Sequence, residues 1–98
     1  MTRTEHLLCI IAEECAEVAQ RASKAMRFGL SEVQPGQPHT NLERMKHELT
    51  DLMATLQLLG REIDFGHGID FDGLVEAKIG KVEKFLKYSA ECGTLTGA

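Results

Sequence analysis

The sequence is poor in aromatic residues and has no long apolar run. Its 98 residues include four Phe, one Tyr and no Trp. A chain of this length is long enough for one domain, and with so few large side chains we expect it to gain stability by self-association. The longest uncharged apolar run, residues 7–12, is far shorter than a membrane span, and no cleavable signal pattern opens the chain. These absences predict a cytoplasmic protein without a membrane partner.

Cysteines and basic residues are also scarce. The three cysteines, Cys9, Cys15 and Cys92, contain no C-x-x-C pair. This indicates a reducing compartment and excludes a disulfide framework or a zinc knuckle. Cys15 is expected to be a core thiol. Fifteen acidic residues against eleven basic ones give a net charge of −4, which argues against a nucleic-acid partner.

Apolar residues that recur every three or four positions predict an all-α fold. We expect the first helix to run from Thr4, as its N-cap, to Phe28, with Gly29 closing it. Two prolines and a glycine predict a loop at 29–40. The apolar stripe of this helix consists of Leu8, Ile11, Cys15, Val18, Ala22 and Ala25.

Two further helices are predicted beyond the loop. The second begins at a capping box formed by Thr40 and Glu43, with Asn41 as an equally good cap, and Gly60 ends it. The third is expected over residues 72–89. The apolar stripes are Leu42, Met45, Leu49, Leu52, Leu56 and Leu59 in the second helix, and Val75, Ile79, Val82 and Leu86 in the third.

These elements predict a single all-α domain over residues 1–98, with a frayed tail at 92–98. Three helices are one fewer than a four-helix bundle holds. We therefore expect a four-helix-bundle-like core that is completed by oligomerisation, as a homodimer or a dimer of dimers.

Two pairs of acidic residues flank the first two stripes. Glu14 and Glu17, like Glu48 and Asp51, are three residues apart and each directly precedes a stripe residue. If the two helices pack antiparallel, the pairs converge, and four carboxylates need a hard divalent cation such as Mg²⁺ or Mn²⁺ to neutralise them. The alternative is that they are solvated charges on two ordinary amphipathic helices.

Basic residues lie close to these acids in the helical pattern. Arg21 and Lys24 continue the edge that carries Glu14, and the third helix has lysines at three-residue steps. Carboxylates for a metal beside cations for anionic oxygens suit metal-dependent phosphoryl transfer. The alternative is that these bases pair with the acids of the same bundle.

The acidic residues carry a resemblance to a known family. Residues 13–17 (EECAE) followed by residues 48–51 (ELTD) resemble the E-E-x-x-E … E-x-x-D signature of the MazG-like all-α nucleotide pyrophosphohydrolases. Residues 12–29 and 81–95 look like the short, single-domain members carried by phages and prophages. The resemblance implies metal-dependent hydrolysis of a nucleoside triphosphate between the α and β phosphates, in the host cytoplasm if the chain is phage-encoded.

The resemblance also implies roles for individual residues. Glu14, Glu17, Glu48 and Asp51 would bind Mg²⁺, and Glu13 would support them or orient the attacking water. Lys24, Arg27, Lys81 and Lys84 are candidates for the phosphates, and Phe28 or Asn41 for the base or sugar.

The chain departs from the family pattern at two places. Thirty residues separate Glu17 from Glu48, at the long end for the family, and His47 stands where many members have a second Glu. These departures bear on substrate choice and water activation. The short form suggests a deoxynucleotide pool, with purine substrates such as dGTP or dATP. The alternatives are a related dUTPase or phosphoribosyl-ATP type of hydrolase, and a non-catalytic helical module with an acidic partner- or metal-binding edge.

Overall fold

A computed structural model describes residues 1–64 and 66–97. It consists of three α-helices, α1 (Arg3–Phe28), α2 (Asn41–Glu62) and α3 (Phe71–Glu91). The prediction of an all-α fold is confirmed. None of these helices is long and apolar enough to cross a membrane.

The chain forms two compact units, Met1–Phe65 and Gly66–Ala98. The first unit contains α1 and α2, which pack against each other. The ion pair between Arg3 Nε and Glu62 Oε1, at 2.5 Å, joins the start of α1 to the end of α2. The two helices are therefore antiparallel, as the convergence of the acidic pairs requires.

A capping box begins α1 two residues before the predicted position. The hydroxyl of Thr2 accepts a hydrogen bond from the Glu5 amide, and the Glu5 carboxylate accepts one from the Thr2 amide, both at 3.1 Å. The prediction of Thr4 as N-cap is wrong because Thr2 has a glutamate three residues later to complete the box. The expected end is confirmed, since Gly29 has φ 99° and donates its N–H to the Ala25 carbonyl.

The structure confirms the predicted start of α2 and contradicts its predicted end. Thr40 and Glu43 form the predicted capping box. Asn41 is the first helical residue and not the cap. The helix passes through Gly60 and ends at Glu62, because glycine costs only about 1 kcal/mol relative to alanine in a helix interior.

The buried face of the first unit is rotated relative to the predicted stripes and shares Ala25 and Leu59 with them. Its buried residues are Leu7, Arg21, Ala25, Asn41, Thr55 and Leu59. Cys15 is exposed, so the prediction of a core thiol is wrong. Leu8 and Leu49 are also exposed, at 50% and 40%. The rotation turns the acidic edge towards the α1–α2 interface, where Glu14 and Glu48 are half-buried.

The second unit is built on α3. The carboxylate of Asp70 caps this helix by accepting a hydrogen bond from the Gly73 amide at 3.0 Å. At the other end, the Thr94 amide donates to the Ser89 carbonyl, also at 3.0 Å. The predicted stripe residues Val75 and Leu86 are 54% and 41% exposed, so within this unit α3 leaves an apolar face uncovered.

Candidate functional site

Three carboxylates from α1 and α2 meet at the helix interface. Glu14, Glu48 and Asp51 each contribute one carboxylate oxygen to a group of three that lie within 4.8 Å of one another. Glu14 comes from α1 and the other two from α2, so the packing of the two helices creates the cluster. Three carboxylate oxygens at this spacing match the ligand preference of a hard divalent cation.

Glu14 is electrostatically the most constrained member of this cluster. Its Oε2 is buried and has no hydrogen-bond partner among the residues that the structure describes. Burial raises the pKa of the Glu14 carboxyl above 4.5, and the charges of Asp51, Glu48 and Glu17 raise it further. A buried acceptor with neighbouring negative charges and no donor is the environment that a bound cation would relieve.

Two other predicted acids are not members of the cluster. Glu17 is exposed and is not among the three converging residues, although its charge contributes to the raised pKa of Glu14. Glu13 is also exposed and does not belong to the group. The structure therefore brings together three of the four predicted metal ligands.

A buried cation lies on the same face of α1. Arg21 is only 7% exposed, and its Nη1 has no hydrogen-bond partner in the described ranges 1–64 and 66–97. It follows Glu14 by seven residues, or two helical turns and about 10 Å along the axis. The sequence pattern had placed Arg21, with Lys24, beside the acidic edge as a cation for anionic oxygens, without assigning it a substrate contact. A buried guanidinium with an unsatisfied nitrogen is suited to an anionic ligand.

A pocket of about 380 Å³ opens at the loop end of the helix pair. Four predicted substrate residues line it, namely Lys24, Arg27, Phe28 and Asn41, together with Glu32, Gln34 and Pro35 from the loop. These three loop residues could not be selected from sequence patterns, because their position depends on how the loop folds back on α2. The pocket combines two cations, an aromatic ring, two side-chain amides and one carboxylate.

Hydrogen bonds hold the walls of this pocket in place. The side-chain nitrogen of Asn41, Nδ2, donates to the Gly29 carbonyl at 2.8 Å and to Glu32 Oε1 at 2.9 Å. The guanidinium carbon of Arg27 lies 4.8 Å from the centre of the Phe28 ring, in a cation–π contact. Phe28 is 53% exposed and offers apolar surface to a ligand.

Lys81, Lys84 and His47 are the other residues that the sequence analysis singled out. Lys81 and Lys84 are exposed on α3, in the second compact unit. His47 contacts His39 edge-to-face, with ring centres 5.1 Å apart, near the start of α2.

Comparisons with protein-family models, with curated proteins and with solved structures give no match for this chain. The family assignment therefore remains a prediction from the acidic motif.

Proposed function

We propose that the protein is a metal-dependent nucleoside triphosphate pyrophosphohydrolase of the MazG-like type. The observation that carries this proposal is that α1 presents two buried side-chain atoms without hydrogen-bond partners among the described residues, one acidic and one basic. Glu14 Oε2 lacks a donor and Arg21 Nη1 lacks an acceptor among the described residues. A metal–triphosphate complex supplies positive charge to the first group and anionic oxygens to the second.

The chemical composition of the helix face supports the same reaction. Glu14, Glu48 and Asp51 would hold Mg²⁺ or Mn²⁺. Glu17, whose charge acts on Glu14, would be the fourth ligand. When bound, the metal supplies positive charge to the phosphate oxygens and lowers the pKa of water at the site. Glu13, one position before Glu14, would help to orient the attacking water.

The chain's own cations would bind and position the substrate. Arg21 and Lys24 follow the carboxylates along α1 and stabilise the charge that develops on the departing pyrophosphate. Arg27, Phe28 and Asn41 would contact the nucleoside part or its phosphates in the pocket. Hydrolysis between the α and β phosphates would release a monophosphate and pyrophosphate from a deoxynucleotide pool.

Self-association is part of the proposal. At 100° per residue, Leu8, Cys15 and Ala22 lie on one side of α1, and Leu49 and Leu56 occupy the matching side of α2. All five are exposed. In an antiparallel pair these sides coincide and form one apolar surface, away from the acidic cluster. A second copy that covers it would complete a four-helix bundle as a homodimer or a dimer of dimers.

One assay tests the proposal. Purified protein is incubated with ribo- and deoxyribonucleoside triphosphates in Mg²⁺, in Mn²⁺ and in EDTA, and pyrophosphate is measured. We expect release with either metal and none in EDTA. Absence of release from every nucleotide would favour the non-catalytic helical module, whose acidic edge would still bind metal, and a Mg²⁺-dependent rise in Tm would then detect that binding.

A further inference from the structure

We propose that the pocket selects guanine, with Glu32 and Gln34 as the specificity-determining residues. This inference rests on the proposed hydrolysis of nucleoside triphosphates and adds the base that the site takes.

The loop places Glu32 and Gln34 on the same side of the chain. Val33, between them, forms a β-bridge with Thr40. In extended backbone, alternate side chains point to the same side, so Glu32 and Gln34 face together into the pocket that both of them line. The backbone N–H of Asn41 donates to the backbone carbonyl of Glu32 at 3.0 Å, and this bond holds the segment against the start of α2.

Asn41 fixes the Glu32 carboxylate. The Asn41 side-chain nitrogen lies between two oxygens, the Gly29 carbonyl at 2.8 Å and Glu32 Oε1 at 2.9 Å. The reversed amide would place Oδ1 against two acceptors, so the neighbours determine this orientation. Asn41 contacts Oε1, and we assign Oε2 and the second lone pair of Oε1 to a ligand.

Arg44 fixes the orientation of Gln34. Its Nη1 donates to Gln34 Oε1 at 2.9 Å, so the carbonyl side of this amide is occupied. The amide nitrogen of Gln34 remains as a donor. The loop side of the pocket therefore offers a carboxylate acceptor and an amide donor.

Guanine fits this pair better than the other bases. Its N1–H and N2–H₂ are adjacent donors for the Glu32 carboxylate, and its O6 is an acceptor for the Gln34 amide nitrogen. Adenine and cytosine have one exocyclic amino group beside a ring nitrogen that is an acceptor. Thymine and uracil have a single N–H between two carbonyl oxygens, which would repel the carboxylate. Lys24 and Arg27 remain for the phosphates, and Phe28 for contact with the ring.

The experiment compares kcat/KM for dGTP, dITP, dATP and dTTP in Mg²⁺. We expect dGTP to exceed dTTP by about tenfold or more, the range for a bidentate contact to a base. The base of dITP lacks the 2-amino group, so dITP should fall between them. Glu32→Gln places an amide against the guanine donors and should reduce the preference to less than about threefold. Glu76→Gln removes an exposed carboxylate of α3 as the charge-matched control and should leave the preference unchanged.

A binding measurement separates this inference from the proposed function. Calorimetric titration with dGMP and dTMP does not require hydrolysis, and dGMP should bind about tenfold more tightly to the wild type than dTMP. If no triphosphate is hydrolysed, the proposed function fails while the titration still tests the pocket. Equal affinities for dGMP and dTMP, or a guanine preference that survives Glu32→Gln, would overturn the assignment of Glu32.

Discussion

Glu14 on α1 and Glu48 on α2 are both half-buried, and their carboxylates approach each other across the helix interface within a cluster that Asp51 completes. The charges of Asp51 and Glu48 raise the pKa of Glu14 in addition to the effect of its burial. The cluster therefore opposes folding when it is fully ionised and without a cation. This opposition is the basis of the first prediction.

Glu14→Gln is expected to raise the Tm of the metal-free protein at neutral pH. Because folding raises the pKa of Glu14 above 4.5, its ionised form destabilises the folded state. The wild type should therefore gain stability as the pH falls from neutral through the raised pKa, and the gain should be complete below the unfolded pKa. The Tm difference between variant and wild type should shrink over the same range. Differential scanning fluorimetry in EDTA measures both effects.

The control for this prediction is Glu13→Gln. It removes the same charge from the adjacent residue, which is exposed and outside the cluster. Equal Tm values for the two variants would mean that the ionised Glu14 carboxylate does not destabilise the folded state more than an exposed carboxylate does.

Glu48→Gln and Asp51→Asn are expected to lower kcat for pyrophosphate release by about 100-fold or more. Each change keeps the size of the side chain and removes one negative charge from the proposed metal ligands. The helix signal in circular dichroism should stay unchanged, because neither residue contributes to the apolar core. Glu83→Gln, an exposed change on α3, is the control. Near-normal turnover of the variants at saturating Mg²⁺ would remove these residues from the mechanism.

Arg21→Met should separate binding from stability. Burying a charged group with an unsatisfied nitrogen costs folding free energy, so a methionine of similar length should keep or raise the Tm. The same change removes a proposed phosphate ligand and should lower kcat/KM by about tenfold or more. Thermal unfolding and steady-state kinetics are measured on the same preparation.

The exposed Arg61 provides a matched control for Arg21. Arg61→Met removes an arginine in the last turn of α2 and should leave kcat/KM unchanged. If Arg21→Met unfolds the protein or retains full kcat/KM, Arg21 is a structural residue and not a substrate ligand.

Local sequence signals predicted the helices and much of the candidate site. The Thr40–Glu43 box and Gly29 act through neighbours within four residues, so they are visible in the sequence. The three-residue spacing of Glu48 and Asp51 also places them on one side of α2 without any knowledge of packing. These features depend on helix geometry alone.

Other features depend on tertiary packing and were not predictable in the same way. Periodicity locates an apolar stripe to within one residue, or about 100° of rotation, and this rotation decides whether Cys15 or Glu14 faces α2. In the structure Glu14 is half-buried and Cys15 is exposed. Glu32 and Gln34 lie in a loop without periodicity, and tertiary contacts such as the bridge between Val33 and Thr40 bring them to the pocket.

The exposed apolar surface of the α1–α2 pair leads to the last prediction. Leu49→Glu places a charge on this surface, where a second copy would have to bury it, and should shift the protein from oligomer to monomer. Leu49 is 40% exposed, so the glutamate can reach solvent in the monomer and the helices should stay folded. Gln57→Glu adds the same charge on the outward side of α2 and should remain oligomeric. Sedimentation velocity at micromolar concentration distinguishes these outcomes. A monomeric wild type, or a Leu49→Glu variant that remains as large as the wild type, would contradict self-association through this surface.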